Sequence, residues 1–386
     1  MPEQHASEAG PDAAWVAARQ AEFRAALAQF DRARPLLVLG HHDADGLSAM
    51  AILARALGQA GWQVKTRIIG RGENAWTPEM AAELQAQEMG GLIVADLGSR
   101  AALLRPGTPT VVLDHHAPTG RPEAALLISG HGLHPVPTTS LLAWWCAAAV
   151  TEAEDLLWLA ALGIIGDLEE KAGFVELARA RERWGITALR DATSLVNAPR
   201  RAGAGDAGPA LALLLKADGP KAVLSGDYPE IAVLRAAKAE VQEALAEGRR
   251  VAPRMQGEVA LIPLHSACQI HPLVAQQWKT RLKGKIVIAA NTGYRPGWVH
   301  FAARAAQGTD LIAFLREHRP DGADPEQYGN GHAQASGGAL PPEAWNRFVS
   351  TSASAPMRGC QHEPPHAAPA GPYTRKARRR CAWAFP

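Results

Sequence analysis

Aspartates and histidines crowd into four short stretches of this chain. His41-His42-Asp43-Ala44-Asp45-Gly46 places two imidazoles and two carboxylates within five residues. Asp96 follows GLIVA (91–95), Asp114-His115-His116 follows TVVL (110–113), and Asp167 lies in GIIGDL. A carboxylate at a strand end is often only the acceptor that caps the next helix. Capping needs one acceptor per helix, however, not a convergence of charged and imidazole groups. Carboxylate oxygens mixed with imidazole nitrogens suit Mn²⁺ and related divalent ions. The lack of Cys among them argues against a structural zinc site. Two such ions about 3.5–4 Å apart would activate water and stabilise a phosphoryl oxygen in an in-line displacement.

For these clusters to meet, the strands before them must be neighbours in one sheet. PLLVLG (35–40), a strand near 62–69, GLIVA and TVVL are apolar throughout, with helical patterns at 13–30, 46–59 and 78–87. Such strands fit a parallel sheet covered on both faces, and open parallel sheets place their sites at the C-terminal strand ends. Residues 139–166 read as helical, with Trp144, Trp145, Leu156, Leu157 and Leu159 as core, and Trp158 also packs. The Gly-, Ala- and Pro-rich stretch 197–209 reads as a hinge or loop, followed by a helix over about 229–250. A second alternation begins at 258, with EVALIPLHS, a helix from about 272, IVIAAN (286–291), WVHFAARA (298–305) and a helix to about His318. It ends near Val349. The remainder has too little apolar periodicity to fold and is expected to be disordered.

With 386 residues, 47% of them apolar and 20% charged, the chain has the composition of a globular protein of two ordinary domains or one large one. It contains no run of about 20 apolar residues that could span a membrane. The first residues lack the basic start and apolar block of a secretory signal. The four cysteines form no close pair, so a reduced, cytoplasmic protein is expected. Beyond residue 350, six basic residues stand against one acid, leaving 34 basic and 37 acidic residues in 1–350. A dedicated binder of long nucleic acid is usually strongly basic throughout its body. The run Arg375–Arg380 reads as a solvated charge cluster.

The motifs, in this order, resemble the DHH phosphoesterase superfamily, named for Asp114-His115-His116. A fifth feature, Gly329-Asn330-Gly331-His332-Ala333-Gln334-Ala335-Ser336-Gly337-Gly338, resembles the glycine-rich histidine motif of the DHH-associated domain. That domain is found in RecJ-like exonucleases, short-oligonucleotide nucleases and cyclic-dinucleotide phosphodiesterases. Asn330 departs from the family's usual triple-glycine run, but Asn tolerates left-handed backbone. The resemblance implies an α/β protein of two domains with the active site in the cleft between them. A parallel-sheet DHH domain would cover 1–205, a helical connector 206–250, a smaller α/β DHH-associated domain 251–350, and a basic tail 351–386.

The resemblance also implies the roles. His41, Asp43 and Asp96 would hold one Mn²⁺, and Asp45, His115 and Asp167 the other, with Asp96 bridging; Mg²⁺ or Co²⁺ are the expected substitutes. Asp96 and His116 are the expected catalytic residues, His116 reaching a substrate phosphate. Asp114 is read as an acceptor that fixes a neighbouring His, and His42 as a residue turned away from the metals. Gly329, Gly331 and His332 would cradle an anion, with Arg304 as a phosphate ligand. His265 and His300 read as core histidines, and Ser48 as a helix residue rather than a nucleophile. The function implied is hydrolysis of short oligonucleotides or cyclic dinucleotides, with a RecJ-like single-strand exonuclease as the alternative. The expected partner is a nucleotidic substrate, with no membrane, and a homodimer is left open. An inactive relative would have lost ligands, yet all six positions hold His or Asp. A pyrophosphatase of this superfamily would need a different second domain.

Overall fold

The computed structural model describes residues 11–306, 308–324 and 327–352. The expected disordered tail, 351–386, lies outside them except for its first two residues, which end a helix. The chain divides into two compact units, 1–239 and 240–386. In the first, α1 (Ala13–Leu27), β1 (Leu36–His41), α2 (Ala44–Gln59), β2 (Val64–Ile69), α3 (Pro78–Gln85), β3 (Gly91–Ala95), β4 (Thr110–Asp114) and β5 (Ala125–Ser129) come first. Helices α4 (Thr139–Ala147), α5 (Leu157–Gly166), α6 (Val175–Trp184), α7 (Ile186–Val196), α8 (Gly208–Lys216) and α9 (Pro220–Ser225) follow.

The strand order is β2-β1-β3-β4-β5, all parallel. Leu36 of β1 pairs with Val64 on one side and Gly91 on the other. The chain therefore winds outward in both directions from the β1–β3 pair, and this reversal opens a crevice at the C-terminal strand ends. One face is covered by α1, α2, α4 and α5, with Phe23, Leu47, Ile52, Leu141 and Trp158 fully buried. The other face is covered by α3 and the loop holding Leu104. Burial of these apolar side chains, about 1.5–3 kcal/mol each, anchors the strand ends that carry the acids.

Three local features differ from the sequence reading. The segment 139–166 is two helices, not one. The chain turns at 148–156, where the Trp144 indole N–H donates to the Ala153 carbonyl (2.8 Å), so both helices can pack on α2. The connections β3–β4 and β4–β5 contain no helix, and β5, half-exposed along most of its length, was not anticipated. Third, 197–209 is not simply a loop: it includes a short 3₁₀ turn at Pro199–Arg201 and the start of α8.

The helix α10 (Pro229–Gly248) leads into the second unit, which contains β6 (Arg254–Gln256), β7 (Val259–Leu264), α11 (His271–Arg281), β8 (Ile286–Arg295), β9 (Trp298–Arg304), α12 (Leu311–Glu317), β10 (Tyr328–His332), β11 (Ala335–Leu340) and α13 (Pro342–Ser352). Its sheet runs β10-β11-β9-β8-β7-β6, antiparallel except for β7–β8. Phe301, Tyr328, Leu311, Leu315, Trp345 and Phe348 form its core with α12 and α13. The glycine-rich segment is an edge hairpin of this sheet rather than a flexible turn.

Candidate metal centre

β1 and β3 deliver the central acids. His41 ends β1, Asp43 caps α2 by accepting from the Gly46 N–H (3.1 Å), and Asp45 lies in the first turn of that helix. Asp96 follows β3 with a φ of 63°, in the left-handed region. Aspartate tolerates that conformation better than most residues. Asp114 ends β4 and carries His115 and His116 beyond it. Asp167 arrives from the C-terminal end of α5. Helix α5 comes close because residue 163 is glycine: a Cβ there would lie 1.9 Å from the Ser140 Oγ and 2.3 Å from the Asp45 Oδ1.

Ligand-capable atoms of His41, Asp43 and Asp96 lie within 4.8 Å of one another, as do those of Asp45, His115 and Asp167. These are the two groupings that the motifs implied. His115 Nε2 lies 3.6 Å from Asp96 Oδ1 and 3.6 Å from Asp167 Oδ2, linking the two sets. The structure adds a third set, Asp96, His115 and His116, so His116 also stands among groups that could hold a metal. Asp114 belongs to none of the sets. Its Oδ1 accepts from the His116 N–H (2.7 Å) and lies 3.1 Å from His116 Nδ1, while Oδ2 accepts from the Gly98 N–H (2.6 Å). His42 is also outside them, with Nδ1 2.9 Å from the Ile69 carbonyl.

The donor set fits divalent cations because the acids crowd one another without them. Burial, then the charges of Asp45 and Asp43, push Asp96 up to about 8. Burial and the charges of Asp45, Asp43 and Asp96 push Asp167 up to about 10. Burial pulls His41 down, but Asp43 and then Asp96 outweigh it and carry it to about 10. The hydrogen bond to Asp114 outweighs burial and raises His116 to about 9. Asp43 goes the other way: burial would raise it, but His41 and Arg200 hold it well below the usual carboxylate range. Cations would relieve the repulsion among these carboxylates and displace the protons they hold.

Several supporting residues escaped the sequence reading. Asp45 is fully buried, and its two oxygens accept the Thr139 and Ser140 backbone N–H groups (2.8 and 2.9 Å) at the start of α4. The Thr139 hydroxyl donates to Asp96 Oδ1 (3.1 Å). Pro137-Thr138-Thr139-Ser140 before an apolar run is a legible helix start, though nothing in it names its partner. Arg200 Nη1 bonds Asp43 Oδ2 at 2.8 Å, and the Asn197 side-chain oxygen accepts from the Ala44 N–H (3.2 Å). Arg71, just beyond β2, donates to the carbonyls of Arg200, Ala202 and Gly203, tying that turn to the sheet edge. These last contacts span more than 120 residues, beyond the reach of local pattern.

In the second unit, β11 pairs with β9 so that Ala335 faces Arg304 across the ladder, and His332 pairs with Ala335 on the other side. Gly329 and Gly331 both have positive φ (75° and 123°), and a Cβ on Gly331 would lie 2.5 Å from the Ala335 carbonyl. Only glycine fits there. Arg304 is half-buried, its Nη1 donating to the Ala303 and Ser336 carbonyls (2.9 and 3.3 Å). Burial lowers its guanidinium pKa. The side chains of Asn330 and His332 lie outside the described ones. His265 Nδ1 lies 2.9 Å from the Thr292 hydroxyl, and that histidine is exposed rather than in the core.

No family model matches the sequence, and no curated protein matches it. Solved structures do share its fold. Exonuclease RecJ bound to manganese superposes with a TM-score of 0.65 at 21% identity, over 91% of this chain and 97% of that one. RecJ from Thermus thermophilus in complex with Mn²⁺ gives 0.64 at 22% identity, over 88% of this chain and 55% of that one. The DHH domain of a member of a family of ribosomal proteins gives 0.63 at 14% identity, over 92% and 94%. The chain has the two-domain RecJ/DHH fold, the group its motifs resemble.

Proposed function

We propose that this chain is a two-metal phosphodiesterase, with Mn²⁺ as its ion, acting on short oligonucleotides or cyclic dinucleotides. The observation that carries the reading is the pair of Asp/His triads meeting at Asp96 and His115, at the point where the strand order reverses. His41, Asp43 and Asp96 would hold one ion, and Asp45, His115 and Asp167 the other. Bound there, the ions would supply a water activated at neutral pH and Lewis-acid stabilisation of the phosphoryl oxygens.

The rest falls to the chain itself. Arg200 offsets the charge of Asp43 and fixes its carboxylate. Thr139 holds Asp96, and the α4 amides hold Asp45 without taking all of its lone pairs. His116, anchored by Asp114 and carrying a proton near neutral pH, can donate to a phosphate oxygen. In the second unit, Gly329 and Gly331 open backbone amides to an anion, and Arg304 and His332 add donors.

Small substrates are favoured by charge, since residues 1–350 carry slightly more acids than bases. A second reading, a single-strand exonuclease, is favoured by the extent of the likeness to RecJ, which takes in 97% of that chain. Product analysis with Mn²⁺ decides between them, using a dinucleotide, a trinucleotide, a cyclic dinucleotide and a thirty-nucleotide strand. We expect faster turnover per end on the first three. A strong preference for the long strand replaces the first reading with the second, and hydrolysis of none of the four removes both.

A further inference from the structure

Among the described residues, two that are not glycine have a left-handed backbone: Asp96 and Leu168. Asp96 is accounted for by its place between the triads. Leu168 follows Asp167 directly, with a φ of 66°. It stands where α5 ends, its N–H donating to the Ile165 carbonyl (3.1 Å) while the Glu169 N–H donates to the Ile164 carbonyl (3.0 Å). This is the Schellman arrangement, whose left-handed residue is usually glycine because a Cβ is strained there.

The leucine gains nothing in return from packing. It is 86% exposed, more than Val175, Val233 or Met255, the other exposed large apolar residues among those described. The hydrogen bonds that end the helix would form equally well with glycine. An apolar side chain held out in water, at a position that penalises it, one residue from a carboxylate in a triad, calls for a contact made with something else. Of the parts of a nucleotide whose phosphate is bound by an ion held at Asp45, His115 and Asp167, the base and sugar present apolar surface. Every base has an apolar face, so such a contact tolerates sequence variation.

We propose that Leu168 is an apolar contact for the base or sugar of the nucleotide whose phosphate is bound by the ion that the Asp45–His115–Asp167 triad would hold. This rests on the proposed function in taking the triad to hold an ion and the anion bound to it to be a nucleotide's phosphate.

Binding, rather than turnover, tests it. The full chain loaded with Mn²⁺ is titrated calorimetrically with AMP and with inorganic phosphate, as wild type, Leu168→Gly and Leu168→Asn. Glycine relieves the strain, so the Leu168→Gly protein should melt roughly 2–4 °C higher. Its affinity for AMP should fall about tenfold, and its affinity for phosphate should change less than about twofold. Asn, which accepts the backbone but is polar, should lose AMP affinity to a similar extent. Unchanged AMP binding in Leu168→Gly, equal weakening of both ligands, a lower melting temperature, or full AMP binding in Leu168→Asn each overturns the inference. So does a wild type that binds AMP no more tightly than phosphate. A wild type that shows the Leu168-dependent preference for AMP but hydrolyses no phosphodiester leaves this inference standing and removes the phosphodiesterase reading.

Discussion

At the edge of the parallel sheet, four aspartates crowd among three histidines, and two of the acids hold protons well above their ordinary range. At the edge of the other sheet, the glycine-rich hairpin presents backbone beside one half-buried arginine. The contrast extends to composition, with 22 basic and 27 acidic residues in 1–239 against 12 and 10 in 240–350. The first crowds carboxylates together and suits cations. The second offers backbone beside a guanidinium, and suits an anion that arrives already carrying charge. On the proposed reading, attracting metal and gripping phosphate demand opposite electrostatics, and the two tasks would fall to different sheets.

The sharpest break of this contrast is Asp96→Asn. Hydrolysis should fall by at least roughly a hundred- to a thousandfold, while the chelator-treated protein becomes more stable. Full activity of the variant in Mn²⁺ would end the two-metal assignment. The stability gain has a pH signature. Asp96, Asp167 and His116 all have folded values above their unfolded ones. Each contributes stability that is present at low pH and lost as pH rises through the folded value. Chelated wild type should therefore lose on the order of 5 °C in Tm between about pH 6.5 and 9, and Mn²⁺ should restore more at the alkaline end. A flat profile would mean that the acids do not repel as the geometry says.

Arg200→Ala leaves Asp43 without its guanidinium partner. Mn²⁺ affinity, measured by calorimetry, should drop about 10–100-fold, the range for a residue that orients a metal ligand. Arg304→Ala and His332→Ala test the other sheet. Each should weaken dinucleotide binding about tenfold, as expected for a lost charged hydrogen bond of about 1.5–3 kcal/mol, with Mn²⁺ affinity intact. If Arg304→Ala weakens Mn²⁺ as much as Arg200→Ala does, the division of labour is wrong. The smallest effect is expected from removing residues 353–386. Rates on dinucleotides should barely move, whereas binding of a long strand would lose salt dependence by a log–log slope of about 0.7 per lost phosphate contact if the basic run touches it.

Much of the first sheet and its site edge could be read from the sequence. β1, β3 and β4 are continuous apolar runs that end in His or Asp or lead directly into one, so strand, buried face and site edge are written in adjacent residues. The groups around them were not legible, for a physical reason. Arg200 and Thr139 act on Asp43 and Asp96 through contacts 157 and 43 residues apart, and an Arg or Thr carries no local sign of its partner. β10 and β11 were hidden by their composition, because glycine reads as turn even where the hydrogen-bond ladder of a sheet holds it. Leu168 was hidden by its type, since a leucine after an apolar helix suggests core, and only its backbone angle and exposure set it apart.

The two amides that hold Asp45 have a consequence for how the protein is loaded. Because helix α4 supplies hydrogen bonds to both oxygens, this carboxylate is in place as soon as the chain has folded. Metal uptake then becomes the filling of a finished mould rather than a step in building it. Two proteins made in metal-poor and metal-rich conditions should reach the same backbone, with the same amide-exchange protection along α2 and α4. The supply of ions would govern how many molecules work, while leaving unchanged how many are made well.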